Sequence, residues 1–176
     1  MCTEGKPLPE KEVRKLNIKS KKLRIYLDTS VISYLQEEDA PEKMEDTREL
    51  WKLLQQDGYE VIISDITFEE VEGCDAEKRD ILAEYMELIN FSFVQATLQE
   101  DDLTEQYLMH NVLSEKNRTD LRHIACAVLN DCDYIISWNF KHFVNTKTID
   151  KVNGVNLLLG LRETKIIPPP MLGGGM

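Results

Sequence analysis

The sequence predicts an α/β fold in which one parallel sheet is covered by helices on both faces. Five short apolar segments have strand-like composition, and they lie at residues 23–27, 59–63, 91–94, 134–136 and 164–167. Segments with apolar residues at helical spacing separate them. Strands that alternate with helices form parallel sheets, because each return to the same edge of the sheet needs a crossover connection. We therefore expect a three-layer α/β/α domain.

Helix start signals follow the predicted strands. Residues 28–30 (Asp-Thr-Ser) come directly after the first strand, and Ser64 with Asp65 comes after the second. These residue types cap helix N-termini, Pro41 suits a first helical turn, and Thr119 is expected to cap a later helix. The predicted helices cover residues 31–35, 41–56, 66–73, 75–89, 98–113, 117–130 and 155–159.

The composition of the two ends sets the domain boundaries. Residues 1–22 are polar and basic, which predicts a loosely ordered N-terminal extension. Residues 169–176 contain a proline pair and three consecutive glycines, which is typical of a flexible tail. The 176-residue chain is long enough for one well-cored domain, and we place that domain at residues 23–168.

Composition also predicts a soluble, cytoplasmic protein. The longest apolar runs are too short to span a bilayer, and the N-terminus lacks the apolar core of a signal peptide. The four cysteines show no close pairing of the kind that binds metals. Buried reduced thiols are the expected role of Cys126 and Cys132.

The net charge of −11 is unfavourable for a nucleic-acid partner. The charge is unevenly distributed, however. Residues 1–24 carry eight Lys/Arg and three Asp/Glu, whereas residues 25–115 carry five and 24. The basic arm has two interpretations: it contacts phosphates of an RNA, or it is a solvated leader.

Four polar side chains fall where the chain leaves the predicted sheet. They are Asp28, Glu70, Asp120 and Asn139. Each alone has an ordinary explanation as a helix cap, a surface acid or a turn residue. Carboxylates that converge at one sheet edge repel each other unless cations neutralise them, and such oxygen ligands suit Mg²⁺ or Mn²⁺. Two such ions can bridge a scissile phosphate, so no nucleophilic side chain is required.

Four segments resemble the motifs of the PIN-domain family, which includes VapC-type toxins of toxin–antitoxin pairs. They are LDTSVI at 27–32, ISDITFEEV at 63–71, TDLRHIA at 119–125 and CDYIISWNFKHF at 132–143. The resemblance covers about residues 23–168, and the motifs occur in the family's order. It implies a PIN-like fold with a central parallel sheet, metal-dependent endoribonuclease activity and frequent homodimers. It also implies a cognate antitoxin as a partner.

The resemblance implies that Asp28, Glu70, Asp120 and Asn139 are the catalytic and metal-binding residues, with Glu69 as a rival of Glu70. The fourth motif of the family often supplies an aspartate where this chain has Asn139. An amide oxygen can bind a metal but adds no negative charge. A one-metal mechanism, slow turnover, and an inactive scaffold that binds RNA or a protein partner are therefore the alternatives.

Neighbouring polar residues are candidates for substrate binding. Thr29 and Ser30 are placed to contact Asp28 or a metal-bound water, although helix capping is the simpler role. Ser137 is expected to orient Asn139 or contact a phosphate, and Lys141 to contact an RNA phosphate, with a strand-end turn and a solvated loop as their alternatives.

The aromatic residues of the third and fourth motifs allow several roles. Trp138 is expected either to stack on a base or to lie in the core or at a dimer surface. His142 is expected either to contact an RNA phosphate or to lie in a solvated loop. His123 is expected to be a packed, hydrogen-bonded histidine. A haloacid-dehalogenase-type phosphatase is set aside, because Ser30 occupies the position where that chemistry needs an aspartate.

Overall fold

The computed structural model describes residues 21–172. Nearly all of the predicted N-terminal extension, and residues 173–176 of the predicted tail, lie outside the described residues. The elements are β1 (Leu23–Leu27), α1 (Thr29–Ser33), α2 (Pro41–Leu54), β2 (Tyr59–Ser64), α3 (Asp65–Glu72), α4 (Ala76–Glu87), β3 (Phe91–Val94), α5 (Leu98–Met109), α6 (Arg118–Leu129), β4 (Tyr134–Ile136), α7 (Thr146–Leu158) and β5 (Lys165–Ile167). Three short 3₁₀ helices lie at Tyr34–Gln36, Glu115–Asn117 and Pro169–Met171.

The strands form one parallel sheet in the order β3-β2-β1-β4-β5. The chain builds outward from β1 to β3 and then returns to the other side of β1 with β4. Strand order thus reverses between β1 and β4, and ligands of parallel α/β sheets bind beside the carboxyl ends of strands at such a point. Leu27 pairs with Ile136 in the register, so the residues that follow the two strands start side by side.

Apolar side chains alternate across β1 and divide the core into two layers. Ile25 and Leu27 pack in one layer with residues of α1, α2 and α4, whereas Tyr26 packs in the other with residues of α5, α6 and α7. All three side chains have no exposed surface. Helices therefore cover both faces of the sheet, and the predicted three-layer α/β/α fold is confirmed.

The last helix is longer than the sequence predicted. α7 begins at Thr146, whereas we expected a short helix over residues 155–159. Its first two turns contain two apolar residues, Ile149 and Val152, which pack in the second core layer but stand among polar residues in the sequence. The side chain of Asn145 caps α7 by accepting a hydrogen bond from the backbone of Thr148.

Two other helix boundaries also differ. Asn117, not Thr119, is the N-cap residue of α6. α5 ends at Met109, four residues before its predicted end, because Asn111 adopts a φ of 54° that breaks the helix.

The start of the predicted flexible tail is ordered. Pro169–Met171 forms a 3₁₀ helix, and Leu172 is only 7% exposed among residues of the first core layer. The tail prediction at 169–176 is therefore corrected for residues 169–172. Prolines prevented a helix or strand pattern there, so the sequence did not show that Leu172 is a core residue.

Helix length and the burial of the cysteines are both visible in the described residues. No helix between residues 21 and 172 is long and apolar enough to cross a membrane. Cys126 and Cys132 are buried, and burial raises the pKa of each thiol to about 12, so both are protonated core residues.

Candidate functional site

Asp28 lies at the point where β1 and β4 end together. Its backbone N–H donates to the carbonyl oxygen of Ile136 at 3.1 Å, which extends the sheet by one residue. Its side chain is 5% exposed and accepts hydrogen bonds from the hydroxyls of Ser30 at 2.5 Å and Ser137 at 2.8 Å. Because both bonds end on Oδ2, the carboxylate is held in one orientation with Oδ1 left for another partner.

Ser137 connects Asp28 to the loop after β4. Its hydroxyl donates to Asp28 and accepts the backbone N–H of Asn139 at 2.9 Å. The N–H of Trp138 donates to the hydroxyl of Ser30, also at 2.9 Å. Ser137 has no exposed surface, so its position fits the predicted role of orienting the loop rather than contacting a phosphate.

Asp120 lies in the first turn of α6 and faces the same sheet edge. Its two carboxylate oxygens accept long hydrogen bonds, each 3.4 Å, from the side-chain amides of Asn117 and Asn139. Burial raises the pKa of Asp120; the His142 ring opposes this effect, and the negative charge of Asp28 adds to it. A cation placed between two carboxylates that repel each other in this way would lower the energy of both.

Asn139 presents its amide nitrogen, not its oxygen, to the acidic residues. Nδ2 donates to Asp120, whereas Oδ1 accepts the backbone N–H of His142 at 3.0 Å. In this arrangement Asn139 is a hydrogen-bond donor that positions Asp120. Its amide oxygen is turned toward the loop backbone, which differs from the role of an oxygen ligand that we expected.

Glu70 lies in α3 at one side of the Asp28–Asp120 pair. Its Oε2 accepts a hydrogen bond from the Thr29 hydroxyl and lies 3.1 Å from Nε2 of His123. Burial acts to raise the pKa of Glu70, but the hydrogen bonds from His123 and Thr29 outweigh it and lower the pKa. Both Glu69 and Glu70 are exposed, but the carboxylate of Glu69 makes no hydrogen bond within residues 21–172, whereas that of Glu70 contacts Thr29 and His123. Geometry therefore favours Glu70 over Glu69 as the site residue.

A buried chain of hydrogen bonds continues from Glu70 into the core. Nδ1 of His123 lies 2.7 Å from the hydroxyl of Tyr26, which lies 2.6 Å from the hydroxyl of Ser64. His123 is 1% exposed, and burial raises the pKa of Tyr26 far above its usual range. The sequence predicted a packed histidine but gave no link to Glu70. A tyrosine between the apolar residues Ile25 and Leu27 of strand β1 was the available signal.

The donor set fits a divalent ion that keeps most of its water. Within residues 21–172, no three His, Cys, Asp or Glu side chains converge as a closed ligand set. Asp28 and Asp120 instead form a pair at the sheet edge, with Glu70 beside it. Mg²⁺ is typically bound by one or two carboxylates together with waters and substrate phosphates, so an open pair suits Mg²⁺ or Mn²⁺.

The remaining candidates differ in accessibility. Lys141 is exposed on the loop after β4, and His142 is half-buried with Nε2 3.1 Å from the amide nitrogen of Asn117. Trp138 is 7% exposed, and its indole N–H donates to the hydroxyl of Thr47 at 2.8 Å. It is therefore a core residue and not a platform for base stacking.

Comparison with other proteins supports the fold. The chain matches no family model and no curated protein sequence. Its structure is similar to a chain in the crystal structure of VapBC2 from Rickettsia felis bound to a DNA fragment from their promoter, with a TM-score of 0.54 and 13% identity. The similarity covers 83% of this chain and 98% of that chain. At this identity the likeness shows a shared fold, and it agrees with a PIN-like three-layer architecture.

Proposed function

We propose that the protein is a Mg²⁺- or Mn²⁺-dependent endoribonuclease of the PIN type, which hydrolyses phosphodiester bonds in RNA. The observation that carries this proposal is the pairing of Asp28 and Asp120 at the carboxyl edge of the parallel sheet. Burial and the Asp28 charge raise the pKa of Asp120, so a cation that both carboxylates share is favoured. Neither residue has a basic side chain as a hydrogen-bond partner within residues 21–172.

The residues around the pair have distinct parts in this function. Asp28 and Asp120 would hold the ion, and Ser30 and Ser137 fix the orientation of Asp28. A bound divalent ion supplies an activated water and neutralises charge on the scissile phosphate. The lowered pKa of Glu70 keeps its carboxylate ionised at neutral pH, which suits it to accept a hydrogen bond from a water beside the pair.

We further propose that the protein acts in the cytoplasm, forms a homodimer and is the toxin of a type II toxin–antitoxin pair, with a cognate antitoxin as its partner. Support comes from the four PIN-like motifs and from the fold shared with a chain of the VapBC2 structure. The test is genetic and biochemical. A neighbouring gene for a small DNA-binding protein should encode a chain that co-purifies with this protein and blocks its cleavage of RNA.

A second function is favoured by two observations. The oxygen of Asn139 faces the His142 backbone, and three acidic groups do not converge among the described residues. Both features weaken a two-metal arrangement. The alternative is a PIN-like scaffold that binds RNA or a protein partner with little or no cleavage.

The two functions are separated by a cleavage assay. A panel of structured and single-stranded RNAs is incubated with the protein in Mn²⁺, Mg²⁺ or EDTA. The nuclease proposal predicts cleavage that needs the metal and that both Asp28→Asn and Asp120→Asn abolish, while the exposed neighbour variant Glu69→Gln retains it. A wild-type protein that binds a divalent ion in calorimetry and yet cuts no RNA would favour the scaffold.

A further inference from the structure

A cavity of about 390 Å³ is lined by three lysines and by no acidic residue. The lysines are Lys141, in the loop after β4, and Lys147 and Lys151, on α7. Its other walls are mostly polar and come from the segment between α5 and α6 and from the start of α7, with residues Asn111, Val112, Leu113, Ser114, Asn145 and Thr148. We call this cavity the lysine groove.

The positive charge of the lysine groove is not neutralised by the protein. None of its three lysines forms an ion pair with a carboxylate of residues 21–172, whereas Lys22, Lys52 and Lys78 each do. In a chain with a net charge of −11, such a local excess of cations is unusual. It marks a place where a polyanion can approach without strong repulsion.

The fold fixes the backbone positions of the three lysines and the ammonium group of Lys151. Lys147 and Lys151 are four residues apart on α7, so they lie on one face, with Cβ atoms about 5–6 Å apart. The Lys151 ammonium donates to the carbonyl oxygen of Asn111, on the opposite wall. Asn145 holds Lys141 in place by donating from its side-chain amide to the Lys141 carbonyl oxygen at 3.1 Å.

The lysine groove lies next to the Asp28–Asp120 site. Ser114, in the groove wall, donates its hydroxyl hydrogen to the side chain of Asn117 at 2.9 Å. Asn117 in turn donates to Asp120 at 3.4 Å. One side chain therefore separates the groove wall from a carboxylate of the site, and Lys141 is two residues from Asn139.

We propose that the lysine groove binds the phosphate backbone of single-stranded RNA on one side of the scissile bond. The inference rests on the proposed function. It adds the path along the protein surface that the RNA strand follows on one side of the scissile bond. Lysine ammonium groups bind phosphates as point charges, and the hydroxyl and amide groups of Ser114, Asn145 and Thr148 suit sugar and phosphate oxygens. The groove lacks the large apolar surface that a folded protein partner would bury.

Binding is measured without cleavage, by fluorescence anisotropy of a labelled single-stranded RNA in EDTA at a series of salt concentrations. The variant Lys141→Gln/Lys147→Gln/Lys151→Gln is compared with wild type. The matched control, Lys52→Gln/Lys78→Gln/Lys165→Gln, carries the same change in net charge on surfaces outside the groove and outside the basic arm. Circular dichroism verifies that both variants fold.

The lysine groove predicts a change in the salt dependence of binding. Each phosphate contact to a single strand contributes about 0.7 to the slope of log K against log salt, so loss of three contacts lowers the slope by about 2. Affinity at low salt should fall at least tenfold for the groove variant, and the slope of the control should stay close to that of wild type. Equal losses in the two variants, or no binding of RNA by wild type, would overturn the inference.

Two further outcomes separate the inference from the proposed function. If the wild-type protein binds RNA through the groove but never cuts it, the nuclease proposal is refuted and the proposed RNA binding by the groove stands. If the groove variant cuts RNA in a metal-dependent way with unchanged KM and salt dependence, the proposed role of the groove is refuted and the nuclease proposal stands. A poly-glutamate peptide of equal charge that binds the groove more tightly than RNA would also overturn the inference, in favour of an acidic protein partner.

Discussion

Nε2 of His123 lies 3.1 Å from Oε2 of Glu70, and Nδ1 of the same ring lies 2.7 Å from the hydroxyl of Tyr26. A carboxylate only accepts hydrogen bonds, so Nε2 carries the hydrogen. In the neutral ring the Tyr26 hydroxyl then donates to Nδ1 and accepts from Ser64. A buried chain across three elements therefore fixes the side chain of Glu70 beside the Asp28–Asp120 pair.

Replacing this histidine should affect both stability and the site. In His123→Ala the buried hydroxyl of Tyr26 loses one partner and Glu70 loses another, which we expect to cost about 1–3 kcal/mol in the free energy of unfolding. The pKa of Glu70 should rise, because a hydrogen bond that lowers it is removed. Urea unfolding measures the first effect, and His110→Ala, which alters an exposed histidine, is the control. Equal stability of the two variants would contradict the buried chain.

Adding a carboxylate at position 139 should raise the affinity of the site for a metal ion and lower the stability of the metal-free protein. Asn139→Asp removes the amide that donates to Asp120 and places a third negative charge beside Asp28 and Asp120. We expect a lower Tm than wild type in EDTA and a larger rise in Tm on addition of Mg²⁺. An ion present at 100 times its Kd stabilises the folded state by about 2.7 kcal/mol, which thermal unfolding resolves easily. A rise no larger than that of wild type would show that position 139 is remote from the metal.

Leu172 should contribute to the core although it lies in the C-terminal segment. Leu172→Ala removes a side chain that is 7% exposed, and such truncations typically cost about 2–5 kcal/mol. We expect a cost in the lower part of this range, since the C-terminal segment can shift to fill part of the space that the leucine leaves. The neighbour Met171 is 62% exposed, and Met171→Ala should be nearly neutral. Urea unfolding of the pair decides between a packed segment and a loose tail.

Asp133 should make stability depend on pH in the acidic range. It precedes β4, at the end of the sheet opposite the site. Burial acts to raise its pKa, but the backbone N–H of Arg24 and the guanidinium of Arg162 outweigh this and lower the pKa. A carboxyl with a lowered folded-state pKa stabilises the fold above its unfolded pKa of about 3.9, and this contribution is lost as pH falls through the folded value.

The comparison variant for Asp133 is Asp133→Asn, which cannot titrate. The wild type should exceed this variant in stability at pH 7, and the difference should shrink steadily below pH 4. The contribution is modest, since Arg162 is exposed. A stability difference between wild type and variant that stays constant from pH 7 to pH 2 would show that the charge of Asp133 does not stabilise the fold.

The sequence predicted those features that depend on local pattern. The strands are short apolar runs, and Asp28 and Ser64 follow them as helix-capping types, so the sheet edge and its first carboxylate were visible. Parallel topology then brought residues after β1 and β4 together. Asp120 could be placed near Asp28 because it opens a helix with a clear apolar face.

Features that depend on long-range contacts were not predictable from pattern. The bond between His123 and Glu70 joins residues 53 positions apart, and neither residue type requires the other. The orientation of the Asn139 amide is decided by the backbone N–H of His142 and by Asp120, which only the folded loop brings into reach. The start of α7 is set by its cap residue, Asn145, and its first turns carry only two apolar residues, Ile149 and Val152, among polar ones.

The measurement that tests the central claim most directly is the single-turnover rate of RNA cleavage by Asp120→Asn across a Mn²⁺ titration, beside wild type and Glu69→Gln. If Asp28 and Asp120 share the ion, wild type and Glu69→Gln should cut RNA with the same Mn²⁺ dependence. Asp120→Asn should lose at least 100-fold in rate, or about 2.7 kcal/mol, at any Mn²⁺ concentration that leaves it folded. Cleavage by Asp120→Asn at the wild-type rate and Mn²⁺ dependence would contradict the account, because the carboxylate pair would then not be the catalytic centre.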